Sequence, residues 1–94
     1  MQRIQGKHTR GWRMPEGAVY VGISSKWANP HAIYIYGWRK AVERFREDVA
    51  RMDEAEREAW LAPLRQATAL VCWCPLSQPC HADVLIEYLD KPVT

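Results

Sequence analysis

The spacing of apolar residues along the chain changes character several times. Ala18-Val19-Tyr20-Val21-Gly22 is a short β-forming run that stops at glycine, the pattern of a buried strand. Ala67 to Cys74 is a second run of this kind. Between them, Ala32 to Tyr36 alternates, with Ile33 and Ile35 on one side and Tyr34 and Tyr36 on the other, which predicts a short strand or extended segment. From Trp38 the period lengthens. Trp38, Ala41, Val42, Phe45, Val49 and Met52 recur at helical spacing, with charged residues between them, so an amphipathic helix is predicted there. Asp53-x-x-Glu56 then resembles a capping box and starts a second short helix through about Leu61, stopped by Pro63. Cys80 to Leu89 reads as a final helix with an apolar stripe of Val84, Leu85, Tyr88 and Leu89. Asp83 falls in its first turn, where a carboxylate suits the helix dipole.

Residues 1–17 show no period and end in the turn signal Met14-Pro15-Glu16-Gly17, so they are read as irregular. Ser24 to Asn29 is a loop, and Asn29-Pro30 disfavours helix at its end. Strands interleaved with helices predict an α/β fold: a small two- or three-layer domain with a short, mostly parallel sheet and about three helices. The 94 residues are expected to form a single domain, with residues 1–13 as a flexible basic arm. In open α/β sheets ligands gather beyond the carboxyl ends of the strands. If the two secure strands are parallel neighbours, Ser24–Asn29 and Pro75–His81 face one another.

Charge adds little for the whole chain, since the formal net charge is +2. Its distribution adds more. Residues 1–13 hold Arg3, Lys7, Arg10 and Arg13 and no acid, a candidate contact for nucleic acid against the simpler reading of a solvated tail. No apolar run is long enough to span a bilayer, and the first 13 residues lack the apolar stretch of a signal peptide, so a cytoplasmic protein without membrane contact is expected.

The three cysteines change the picture most. They lie within nine residues, and an odd, crowded set does not suit a disulfide framework, so reduced thiols are expected. Cys72 and Cys74 are two apart on a predicted strand and share a face. Cys80 returns after a loop containing two prolines, and His81 adjoins it. Three readings stay open. Cys72, Cys74, Cys80 and His81 could bind zinc, or an iron–sulfur cluster held by the three cysteines. Cys80 at a helix start could be reactive, with His81 as its partner. All three thiols could be plain core.

The Ser24–Asn29 loop offers hydroxyl, ammonium and amide groups directly after a strand, from Ser25, Lys26 and Asn29. Such a loop can hold an anion, although it lacks the glycine spacing of a P-loop. The alternative is an ordinary loop with Asn29 capping a turn and Trp27 in the core. Trp38 and Trp60 are read as core, and Trp12 and Trp27 as the tryptophans open to stacking on a ligand. His8 and His31 stand alone in the sequence and receive no role.

Two stretches resemble a known family. Thr9-Arg10-Gly11-Trp12-Arg13-Met14-Pro15, leading through Val19-Tyr20-Val21-Gly22 to Ser25-Lys26-Trp27-Ala28-Asn29-Pro30, is similar to the front of domain of unknown function 4326, small proteins of bacteria and their phages. Val71-Cys72-Trp73-Cys74-Pro75-Leu76 and Pro79-Cys80-His81-Ala82-Asp83-Val84-Leu85 resemble its end. No activity comes with the resemblance. It implies that both polar patches belong to one pattern, with Gly22, Ser25, Lys26, Trp27 and Asn29 as ligand contacts and Cys80, His81 and Asp83 as catalytic candidates. Where the family usually has Arg-Pro this chain has Ile23-Ser24, and Ala28 replaces a glycine, so anion binding would rest on Lys26 alone.

The leading expectation is therefore an enzyme-like site for a polar small molecule, such as a nucleotide, with Asp83 orienting His81. The rival is a zinc or iron–sulfur module acting on nucleic acid or a partner protein. The sequence alone does not decide whether the chain is an enzyme.

Overall fold

The computed structural model describes residues 1–91. The elements run β1 (Gln2–Gln5), β2 (Ala18–Tyr20), α1 (Ile33–Arg51), α2 (Glu54–Leu61), a short 3-10 turn (Ala62–Leu64), β3 (Ala69–Cys72) and α3 (His81–Leu89). The three strands form one parallel sheet in the order β1-β3-β2. The expected small α/β domain with three helices and a short parallel sheet is what the chain builds.

β3 is central, and all four of its residues are buried. A central parallel strand needs apolar side chains on both faces, which Ala-Leu-Val-Cys supplies. Leu70 and Cys72 join the main core with Phe45 and Val49 of α1, Leu61 of α2 and Val84 and Leu85 of α3. Ala69 and Val71 face the other way, where Ala18, Ile4, Trp12 and Tyr20 pack against them. The helices thus cover one face of the sheet. Leu61, Leu64, Leu70 and Leu85 have no exposed surface, and each such side chain contributes about 1.5–3 kcal/mol by leaving water.

Two expectations are corrected. Residues 2–5, read as irregular, form edge strand β1, paired with β3 from Gln2 opposite Ala69 to Gln5 opposite Cys72. Gln-Arg-Ile-Gln has one apolar residue and so no visible alternation. The ladder to β3 and the packing of Ile4 make it a strand, an override of local pattern by tertiary context. Residues 33–36, read as extended, form a helical turn in which the Ala32 carbonyl accepts from the backbone N–H groups of Ile35 and Tyr36. This segment has no strand beside it, so it closes its hydrogen bonds locally. Gly37, at φ 79° and ψ 167°, breaks α1 after that turn, and the predicted amphipathic helix runs on from Trp38. Asp53 caps α2 as expected, accepting from the N–H groups of Ala55 at 3.1 Å and Glu56 at 3.3 Å.

β2 and β3 are parallel neighbours, so the loops after them do leave the same edge of the sheet. Among the described residues no helix is long and apolar enough to cross a membrane.

Candidate metal centre

Strand β3 delivers Cys72 at its end, and the alternation of extended chain puts Cys74 on the same side, toward the helices. Their sulfurs lie 3.6 Å apart. The loop from Pro75 returns the chain to Cys80, which precedes α3 in an extended conformation, φ −141° and ψ 150°. This geometry decides the site. Neighbours on a helix diverge by about 100°, but Cys80 is not helical, so its thiol and the His81 ring converge, with Sγ 3.6 Å from Nδ1. The donor atoms of Cys72, Cys74, Cys80 and His81 all lie within 4.8 Å of one another. All four side chains are buried, between 1% and 8% exposed.

A tetrahedral ion with zinc–sulfur bonds of about 2.3 Å sets its sulfurs about 3.8 Å apart. The closest pairs here are near that edge length. The histidine is also set up for ligation. Its Nε2 lies 2.7 Å from the Val21 carbonyl oxygen. A carbonyl only accepts, so Nε2 carries the proton and Nδ1 is the nitrogen turned to the sulfurs. The Phe45 ring meets the imidazole edge-on, with centroids 5.3 Å apart, and fixes its plane. The cluster could hold a metal ion such as zinc.

The thiols interact strongly. Hydrogen bonds from Cys74 and then Cys80 favour the Cys72 thiolate and pull its pKa down to about 2. The nearby Cys72 sulfur pushes Cys80 up to about 11, and burial adds to the effect. Cys74 is pushed up as well, by its bonds to Cys72 and Cys80 and by burial. The crowding thus favours the charged form at Cys72 over Cys74 and Cys80, and a divalent cation could take the place of protons on the thiols.

A second layer holds the loop. Arg3 of β1 donates from one guanidinium nitrogen to the backbone carbonyls of Gln78 at 2.9 Å and Leu76 at 3.3 Å. Its Nε lies 3.1 Å from Asp83 Oδ1. Asp83 Oδ2 in turn accepts from the Cys80 backbone N–H at 3.0 Å. Asp83, expected to orient the His81 ring, instead fixes the backbone of Cys80, while Val21 orients the ring. Sequence reasoning grouped Arg3 with the basic arm, and nothing in the sequence marks it otherwise, because its partners are mainly backbone carbonyls.

The loop after β2 closes on itself. Ser25 Oγ donates to the Gly22 carbonyl at 2.7 Å and accepts from the Trp27 N–H at 3.3 Å. Trp27 is core, its indole N–H donating to the Trp60 carbonyl, while the Trp60 indole donates to the Lys26 carbonyl, both at 2.8 Å. The Lys26 ammonium lies over the Trp27 ring, 4.9 Å from its centroid. Asn29 donates to the Ala41 carbonyl at 3.0 Å and accepts from the His31 N–H at 2.9 Å. Gly22 leaves room for the Tyr20 ring, which a Cβ there would meet at 2.6–2.8 Å.

A cavity of about 400 Å³ lies over the cluster. Ile23, Pro30, Ile33, Tyr34, Trp38 and Val42 form much of its wall, and the four donor residues also line it. Of the five predicted ligand contacts only Asn29 reaches it; Gly22, Ser25, Lys26 and Trp27 lie outside the lining. His31 also lines it, with Nε2 2.6 Å from Asp48 Oδ2, a pairing across 17 residues that the sequence does not announce.

The family described as Domain of unknown function (DUF4326) matches residues 4–91. No curated protein and no solved structure matches the chain.

Proposed function

The chain belongs to the family of domain of unknown function DUF4326, and we propose that within it this protein is a zinc-binding domain whose ion is held by Cys72, Cys74, Cys80 and His81. The observation that carries this reading is the convergence of four buried donor atoms within 4.8 Å. Three thiolates and one imidazole are a full tetrahedral set, the composition of structural zinc sites rather than of catalytic ones that keep a position open. A four-iron cluster binds each thiolate to a different iron and spreads the sulfurs beyond one tetrahedron's edge, so the spacing favours a single ion over such a cluster.

The ion would tie the end of β3 to the start of α3. Through the Val21–His81 hydrogen bond it would also reach the end of β2. In a chain of 94 residues such a cross-link is a large share of stability. Elemental analysis of protein purified without chelator tests the proposal: about one zinc per chain is expected. A stably folded protein that contains no metal and takes none up when zinc is added would refute it.

The cavity supports a second reading, a domain that also holds a small ligand beside the ion. Its wall favours an apolar molecule over a nucleotide, because Ser25 and Lys26 lie outside the lining. Binding of small aromatic probes to the zinc-loaded protein, read by quenching of Trp38, is the test. No quenching at millimolar probe would remove this reading and leave the metal site untouched.

A further inference from the structure

The sheet face away from the helices carries an arrangement that the metal site does not use. Trp73 follows β3 on this face, about 37% exposed. Its indole N–H donates to the Tyr20 hydroxyl at 3.1 Å, and the His8 ring stacks on it, centroids 4.1 Å apart and planes 14° from parallel. Gly6 passes so close to the indole that a Cβ there would meet it at 2.9 Å. Trp12 packs on the same face beside Tyr20. The segment that crosses this face carries Lys7, Arg10 and Arg13, all exposed. Among the described residues none of the three forms an ion pair or a side-chain hydrogen bond. Residues 1–15 contain no acid to offset them.

We propose that this face binds single-stranded nucleic acid: the Trp73 platform stacks on a base, while Lys7, Arg10 and Arg13 contact the phosphates. Two physical features select this partner. An exposed ring with a near-parallel neighbour already on it is a surface that accepts a flat π-system, and every base presents one. Unpaired cations on an acid-free segment beside it complement a phosphate backbone. A duplex fits less well, because its bases are stacked on one another. The inference does not rest on the zinc reading: Trp73 also lines the cavity over the cluster, but its contacts with Tyr20 and His8 and the exposed Lys7, Arg10 and Arg13 involve none of the four donor residues.

Fluorescence anisotropy of a labelled twelve-residue oligothymidine, titrated with the full chain at 50 mM salt, tests it. Binding in the range of about 10⁻⁴ to 10⁻⁶ M is expected, weaker for a duplex of equal length. Trp73→Ala should weaken binding about tenfold, the loss of one base–aromatic stack. The triple variant Lys7→Gln, Arg10→Gln, Arg13→Gln, whose positions are exposed and whose folding can be checked by circular dichroism, should lower the slope of log affinity against log salt by about two. Absence of binding overturns the proposal. So does a duplex bound as tightly as the single strand, or a triple variant that is folded and binds unchanged. Should Trp73→Ala fail to fold, quenching of the tryptophan emission of the unmodified chain by the oligonucleotide replaces it, Trp73 being the exposed tryptophan among the described residues, and no quenching counts against the stack.

Discussion

The loops that follow β2 and β3 leave neighbouring strands at one edge of the sheet, and both are rich in groups able to bind something. They end differently. After β3, three thiols and an imidazole converge with donor atoms within 4.8 Å and turn toward one another. After β2, Ser25 and Asn29 are committed to backbone groups of their own surroundings, and Lys26 lies over the Trp27 ring. Polarity in a loop does not say whether its groups point at each other or at a missing partner. Only the first loop leaves a donor set that a cation completes.

The sharpest way to break this comparison is to remove the metal. Structural zinc in small domains supplies apparent binding free energies of about 10–16 kcal/mol at pH 7, more than the stability of a typical domain. Chelation of the purified protein should therefore abolish the thermal unfolding transition, and added zinc should restore it. Cys80→Ser should do nearly the same, since a buried hydroxyl is a poor substitute for a thiolate. Circular dichroism before and after a chelator reads both.

Next in size is acidity. Metal ligation needs deprotonated thiols. In the metal-free cluster the neighbouring thiols favour the thiolate at Cys72, whereas Cys80, pushed up to about 11, and Cys74, also pushed up, favour the protonated form. Binding should release about two protons, so affinity rises about a hundredfold for each pH unit upward and falls on acidification. Calorimetry of zinc binding in buffers of differing ionisation enthalpy counts the protons. A count of zero would mean that the thiols are not the ligands.

Smaller again is the effect of Arg3→Met, which removes the clamp on the Leu76 and Gln78 carbonyls and on Asp83. A loss of about 10–100-fold in zinc affinity is expected, the usual scale for groups that orient ligands, with the same ligand set retained. At the far end stands Lys26→Ala. Among the described residues its ammonium meets the face of Trp27, so stability should change by about 0.5–1 kcal/mol or less, and zinc content not at all. A large loss there would erase the contrast between the loops.

How far the sequence reaches follows the same physics. Ala18–Tyr20 and Ala69–Cys72 were legible because buried parallel strands read as short apolar runs, and α2 because Asp53 announces its start. β1 was hidden, since an edge strand needs one apolar contact and a ladder, and Ile4 alone makes no pattern. The four donors were legible as types and spacing. Their convergence was not, because it depends on the extended backbone of Cys80. The roles of Arg3 and of the His31–Asp48 pair depend on contacts 17 or more residues away, partly with carbonyls that any sequence supplies.

The most direct measurement is X-ray absorption at the zinc edge of the protein as purified. The account predicts one four-coordinate ion with three sulfurs at about 2.3 Å and one nitrogen at about 2.0–2.1 Å. A shell dominated by oxygen, or one with fewer than three sulfurs, would contradict it.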